Sequence, residues 1–84
     1  MPADPSAIAA HAKTLHADSD SLAECAGRLG GIAQRLCEST TVPAWFQDVM
    51  NEHVTRCLVA SADLATAAAR LEEYTSAVTL PPTS

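Results

Sequence analysis

Eighty-four residues make one small domain, and a chain this short rarely supplies more than a few kcal/mol of core by itself. Five Lys and Arg against ten Asp and Glu leave a formal charge of −5, which argues against nucleic acid or an anionic membrane as partner. Alanine is abundant, β-branched residues are few, and the aromatics are Trp45, Phe46 and Tyr74 alone. That balance excludes an all-β domain, and the lack of any long apolar run excludes a membrane span.

The N-terminal stretch Met1-Pro2-Ala3-Asp4-Pro5 carries neither a basic start nor a continuous apolar segment, so no general secretory leader is expected. Asp4 before Pro5 is a good helix start, because the carboxylate can cap free amides and proline suits the first turn. From there Ile8, Leu15, Leu22, Leu29 and Leu36 recur every seventh residue. Small residues follow the first four of them by four positions: Ala12, Ser19, Ala26 and Ala33. This is the coiled-coil seam of a helix packed along its length on another helix, with large and small residues alternating. Lys13, Asp20, Glu24, Gln34 and Glu38 occupy the opposite face. Gly27, Gly30 and Gly31 fall inside this helix at about 1 kcal/mol each relative to alanine. Two readings are open: close packing of a partner helix there, or a break near Gly30.

Next comes Glu38-Ser39-Thr40-Thr41-Val42-Pro43, where hydroxyls can cap and Pro43 pre-sets the first turn of a new helix. The second half repeats the seam as Met50, Cys57, Leu64, Leu71 and Val78. Phe46, His53, Ala60, Ala67 and Tyr74 flank it on one side, and Val54, Ser61, Ala68 and Thr75 on the other. Leu80-Pro81-Pro82 reads as a helix stop. The expected architecture is all-α: an antiparallel two-helix hairpin with a helix over about 5–38, a turn over about 39–42 and a helix over about 43–78. Each helix is about 50 Å long at 1.5 Å per residue. Residues 1–80 form the single domain, and 81–84 a flexible tail. Two long helices with one seam each leave Phe46, Val54, Ala60 and Tyr74 partly uncovered, so a second hairpin should complete a four-helix bundle.

Cys25, Cys37 and Cys57 have no zinc-ligand spacing. One reading makes all three small buried apolar residues. The other uses the hairpin: a chain folded back around 40–42 sets Cys25 and Cys57 at one level, where a disulfide could bridge the helices and leave Cys37 as the odd thiol. His11, His16 and His53 lack metal-ligand spacing, and the hairpin puts His53 near Leu29 but His11 near Leu71. No glycine-rich phosphate loop and no Ser-His-Asp or Cys-His pairing can be argued. Neither an enzyme, a cofactor nor a metal is expected.

The stretch from Gly31 to Val42 looks like the heart of a helix-turn-helix, which makes a small regulator or antitoxin the alternative. Pro43 inside the would-be reading helix, Asp48, and the absence of Lys or Arg from Thr40 to Met50 count against it. Trp45 and Phe46 admit two readings, as rings covering Leu36 and Cys37 at the end of the hairpin or as an exposed docking surface.

A short, acidic, alanine-rich helical hairpin with Trp45 at its bend resembles the WxG-type substrates of type VII secretion, and among them the EspC-like proteins. Trp45-Phe46-Gln47 stands where Trp-x-Gly would be, and Tyr74 with Val78 stands where the Tyr-x-x-x-Asp/Glu export signal would be. The resemblance implies a dimer, and more often a heterodimer, whose partner supplies the missing signal. The partner is a related hairpin, a larger effector or toxin, or a second copy. It implies a secreted effector, or an adaptor or chaperone for a larger effector, cytoplasmic before leaving by a signal-peptide-independent route. On this reading Ile8, Leu15, Leu22, Leu29, Leu36, Met50, Leu64 and Leu71 hold the hairpin, and Trp45, Phe46, Val54 and Tyr74 meet the partner.

Overall fold

The computed structural model describes residues 4–79. It contains two helices, α1 (Pro5–Ser39) and α2 (Ala44–Thr79), joined by Thr40–Pro43 and packed against each other as an antiparallel hairpin. Asp4 caps α1: its Oδ1 accepts from the Ser6 amide at 3.0 Å, and its carbonyl accepts from Ile8 at 3.1 Å. Proline follows at the first helical position, where no amide is needed. At the other end the Thr40 amide donates to the Leu36 carbonyl at 3.1 Å, and the Ser39 hydroxyl donates to the Arg35 carbonyl at 2.7 Å. Those two bonds occupy carbonyls that the end of the helix would otherwise leave open. Pro43 lies just outside α2 and accepts from the Phe46 amide at 3.0 Å. The boundaries thus fall within one residue of the expected ones. The tail at 81–84 lies outside the described residues.

No break occurs at the glycines, and close packing does not require them either. A methyl group on Gly27 would meet nothing within 4 Å, and one on Gly30 would lie 3.9 Å from Val54 Cγ2, an ordinary contact. Helix α1 runs through all three because its neighbouring turns carry the stripe that faces α2.

The centre of the hairpin differs from the expectation. The buried residues of α1 are Ala12, Ser19, Ala26 and Ala33, the small row, and in α2 they are Ser61 and Ala68. No large side chain is fully buried among the described residues. Leu15, Leu22, Leu29, Met50, Leu64 and Leu71 are only half-buried, and Leu36 is exposed. The leucine rows flank the seam instead of filling it. The cause is the distance between the helices. The Ser19 hydroxyl donates to the Ser61 carbonyl at 2.7 Å, and the Ser61 hydroxyl donates to the Ser19 carbonyl at 2.7 Å. A serine reaches one atom beyond Cβ, so backbones that exchange such bonds are too close for leucine between them.

This reciprocal pair also sets the register. With Ser19 opposite Ser61, Ala26 lies level with Val54 and Ala12 level with Ala68. The row Val54, Ser61, Ala68, Thr75 therefore belongs to the interhelical contact. Each buried alanine withdraws about 0.8 kcal/mol worth of methyl from water, less than the roughly 1–2 kcal/mol that ordering one residue's backbone costs. A hairpin held at its centre by alanine and serine is short of core.

Candidate interaction surface

Two antiparallel helices that face each other through equivalent rows present equivalent residues on the same side of their common plane. The residues just after the leucines identify one side. His16 follows Leu15, Glu72 follows Leu71, and His16 Nε2 meets Glu72 Oε1 across the helices. The leucine rows of α1 and α2 must then share the other side. There Ile8 lies level with Leu71, Leu15 with Leu64, Leu22 with Cys57, and Leu29 with Met50, all half-buried. Ile32, Leu36, Tyr74 and Val78 extend the apolar surface and are exposed, Ile32 at 45% and Tyr74 at 52%. The leucine rows thus form an apolar strip on this side of the hairpin, along the length of both helices. Large contiguous apolar surface of this kind marks a contact site.

The charges divide between the two sides. Arg28, Arg35, Arg56 and Arg70 each stand one residue before a member of a leucine row, so they rim the apolar side, together with Asp18 and Asp63. Asp20, Glu24, Glu38, Asp48, Glu52, Glu72 and Glu73 lie towards the opposite side with Lys13. Most of the acidic residues therefore lie towards the back, while the rim of the apolar side, with four arginines against Asp18 and Asp63, is mildly basic. Arg28 and Arg56 are tied within their helix to Glu24 at 3.5 Å and Glu52 at 2.6 Å, exposed pairs four residues apart. Such pairs contribute a few tenths of a kcal/mol each.

The expected contact residues fall into three groups. Trp45 is 62% exposed beside the turn, its ring centroid 6.2 Å from that of Phe46 in an edge-on arrangement, so it does not cover the end of the hairpin. Phe46 is half-buried beneath it, and Tyr74 sits on the rim of the apolar side near the opposite end. Val54, expected at a partner contact, is half-buried in the row that faces α1, with Cγ2 against the position of Gly30.

Cys25, Cys37 and Cys57 are all free thiols, without the Cys25–Cys57 bridge that one of the two readings allowed. Cys25 precedes buried Ala26, so it is turned about 100° from the seam and is exposed, while Cys57 sits in the half-buried leucine row. Among the described residues no group of His, Cys, Asp or Glu is placed to hold a metal, and no helix is long and apolar enough to cross a membrane. The stretch with helix-turn-helix character runs as unbroken helix to Ser39, so it does not form two crossing helices.

On the back of the hairpin are two shallow grooves. One of about 330 Å³ near the open end is lined by Lys13, His16 and Glu72 among small residues. The other, of about 450 Å³ near the turn, is lined by Gln34, Cys37, Glu38, Gln47 and Asn51.

Sequence reasoning missed the Ser19–Ser61 lock and the basic rim. The first was signalled by a serine in the small row of each helix. The second was signalled by four of the five basic residues preceding leucine-row positions. No family model, curated protein or solved structure matches the chain.

Proposed function

We propose that this chain is a non-enzymatic interaction protein that works by pairing its leucine-lined side with a second helical hairpin, forming a four-helix bundle. The observation that carries the reading is the apolar strip running the length of both helices, on a hairpin in which no large side chain is fully buried among the described residues. A partner hairpin laid on that side would complete the core that alanine and serine leave short.

The wider role follows the resemblance to type VII secretion substrates. The chain acts as a dimeric secreted effector, or as an adaptor or chaperone for a larger effector, starting in the cytoplasm and leaving without a signal peptide. Exposed Trp45 beside the turn stands where that group carries its tryptophan, and it serves as the contact for the secretion machinery or the effector.

The test is the solution mass of the purified chain by light scattering, with circular dichroism on the same sample, alone and co-expressed with neighbouring hairpin proteins. A helical assembly with two or more hairpins and a sharp melt supports the pairing. A compact, sharply melting monomer under every condition overturns it. For the secretion role, export with a type VII system and its loss in Trp45→Ala is the expected outcome, and equal export of both chains removes the tryptophan from the account.

A further inference from the structure

We propose that the groove near the turn, on the back of the hairpin, binds an extended, uncharged peptide segment of another protein and holds it by its main chain. The site lies away from the leucine-lined side and does not depend on the pairing.

The chain has only three side-chain amides, Gln34, Gln47 and Asn51, and all three line this groove. One comes from α1 and two from α2, so the fold gathers what the sequence keeps apart. Counted from the Ser19–Ser61 register, Gln34 stands within one residue of the level of Gln47, on the opposite wall. Asn51 lies one helical turn further along α2. Gln34 donates to Glu38 Oε1 at 3.1 Å, which leaves its own carbonyl oxygen and second N–H for a ligand. Among the described residues the amides of Gln47 and Asn51 have no hydrogen-bond partner.

A side-chain amide presents a donor and an acceptor side by side, as a peptide group does, so the two kinds of group pair naturally. Same-facing peptide groups of an extended chain recur every two residues, about 6.6 Å. Gln47 and Asn51 are four residues apart, about 6 Å along α2. Successive same-facing peptide groups therefore fall in step with them, and Gln34 meets the first from the other wall. No Lys or Arg lines the groove, and its one carboxylate, on Glu38, already accepts from Gln34. The groove thus selects for an uncharged segment.

Gly30 supplies an independent observation. It lines the groove within one residue of the level of Asn51. Glycine weakens a helix interior, and the hairpin does not need it there, since an added Cβ would meet Val54 Cγ2 at an ordinary 3.9 Å. Glycine is also the residue that lets a backbone approach a ligand closely. An incoming main chain gives its presence a reason. The groove, at about 450 Å³, is within the size range of ligand sites.

The test titrates the full chain, isotope-labelled for NMR, with two acetylated and amidated tetrapeptides, Ala-Ser-Ala-Ser and Val-Ser-Val-Ser. The side-chain amide region holds only the signals of Gln34, Gln47 and Asn51, so occupancy reads directly. All of them are expected to shift together along one saturable curve. Asn51→Ala is expected to weaken binding about tenfold, the loss of one or two neutral hydrogen bonds. Gly30→Ala should raise Tm and yet weaken binding several-fold, whereas Gly27→Ala, outside the groove, should raise Tm and leave binding unchanged. Amide signals that move with neither peptide overturn the site. Signals that move with maltose and with neither peptide overturn the peptide as ligand. Equal peptide binding by the Gly30→Ala and Gly27→Ala chains overturns the main-chain approach at Gly30. None of these outcomes touches the pairing, which the solution mass reads separately.

Discussion

Ser19 and Ser61 decide how near the two helices come. Each hydroxyl has one proton, and each spends it on the other helix's carbonyl, so in that arrangement their 3.0 Å approach to each other requires no further donor. Ser19→Ala removes one of the two bonds, while Ser61 still donates to the Ser19 carbonyl. The expected loss is about 1 kcal/mol or less, read from urea unfolding. Ser19→Leu should cost more, roughly 1–3 kcal/mol, because its volume forces the backbones apart. The glycines give the opposite sign. Gly27 has room for a methyl group in an ordinary helical conformation, so Gly27→Ala should stabilise the protein by about 0.5–1 kcal/mol and raise Tm. Equal or lower stability would mean that Gly27 meets something in the assembled state that the hairpin alone does not contain.

At the scale of the element, each helix carries two heptad rows with different duties. The small row sets the hairpin, and the large row faces outward beside it. Ala68 is fully buried and Leu64 half-buried, so the two substitutions should separate the duties. Ala68→Leu overfills the closest contact and should lower the unfolding free energy by roughly 1–3 kcal/mol whatever the assembly state. Leu64→Asp places a charge where a partner hairpin would bury it, so its main effect should be on association. Gel filtration with light scattering, repeated over a concentration series, reads the second effect, and denaturant unfolding reads the first. An unchanged mass for Leu64→Asp would show that the leucine side is not the pairing side. Both helix ends were legible in the sequence, since Asp4-Pro5 and Ser39 to Pro43 have local chemistry that depends little on the rest of the fold. The candidate bridge between Cys25 and Cys57 was not legible. A count of levels along a hairpin says nothing of how far a residue is turned around its helix, and Cys25 is turned away.

The whole molecule is a rod with principal extents of 68 × 23 × 15 Å, two helices wide and one helix thick. A layer that thin encloses alanine between the helices but no large side chain, because a large side chain reaches past the single interhelical contact to one open face. Stability alone and stability in assembly should therefore differ widely: Tm is expected to rise with protein concentration, since association adds to folding by mass action. A Tm independent of concentration over a hundredfold range would place the stability inside the single hairpin. The two helices, their ends, their antiparallel pairing and the 3.5-residue rhythm were determined by the sequence, through capping chemistry, a short turn and hydrophobic spacing that act locally. Which row lies at the centre was decided only by the tertiary structure. Residues three and four apart share one face of a helix, so the pattern marks the stripe without marking its middle. The middle depends on how closely the backbones approach, and the serine pair settles that, giving the centre to alanine and leaving the leucines and the basic rim on one side.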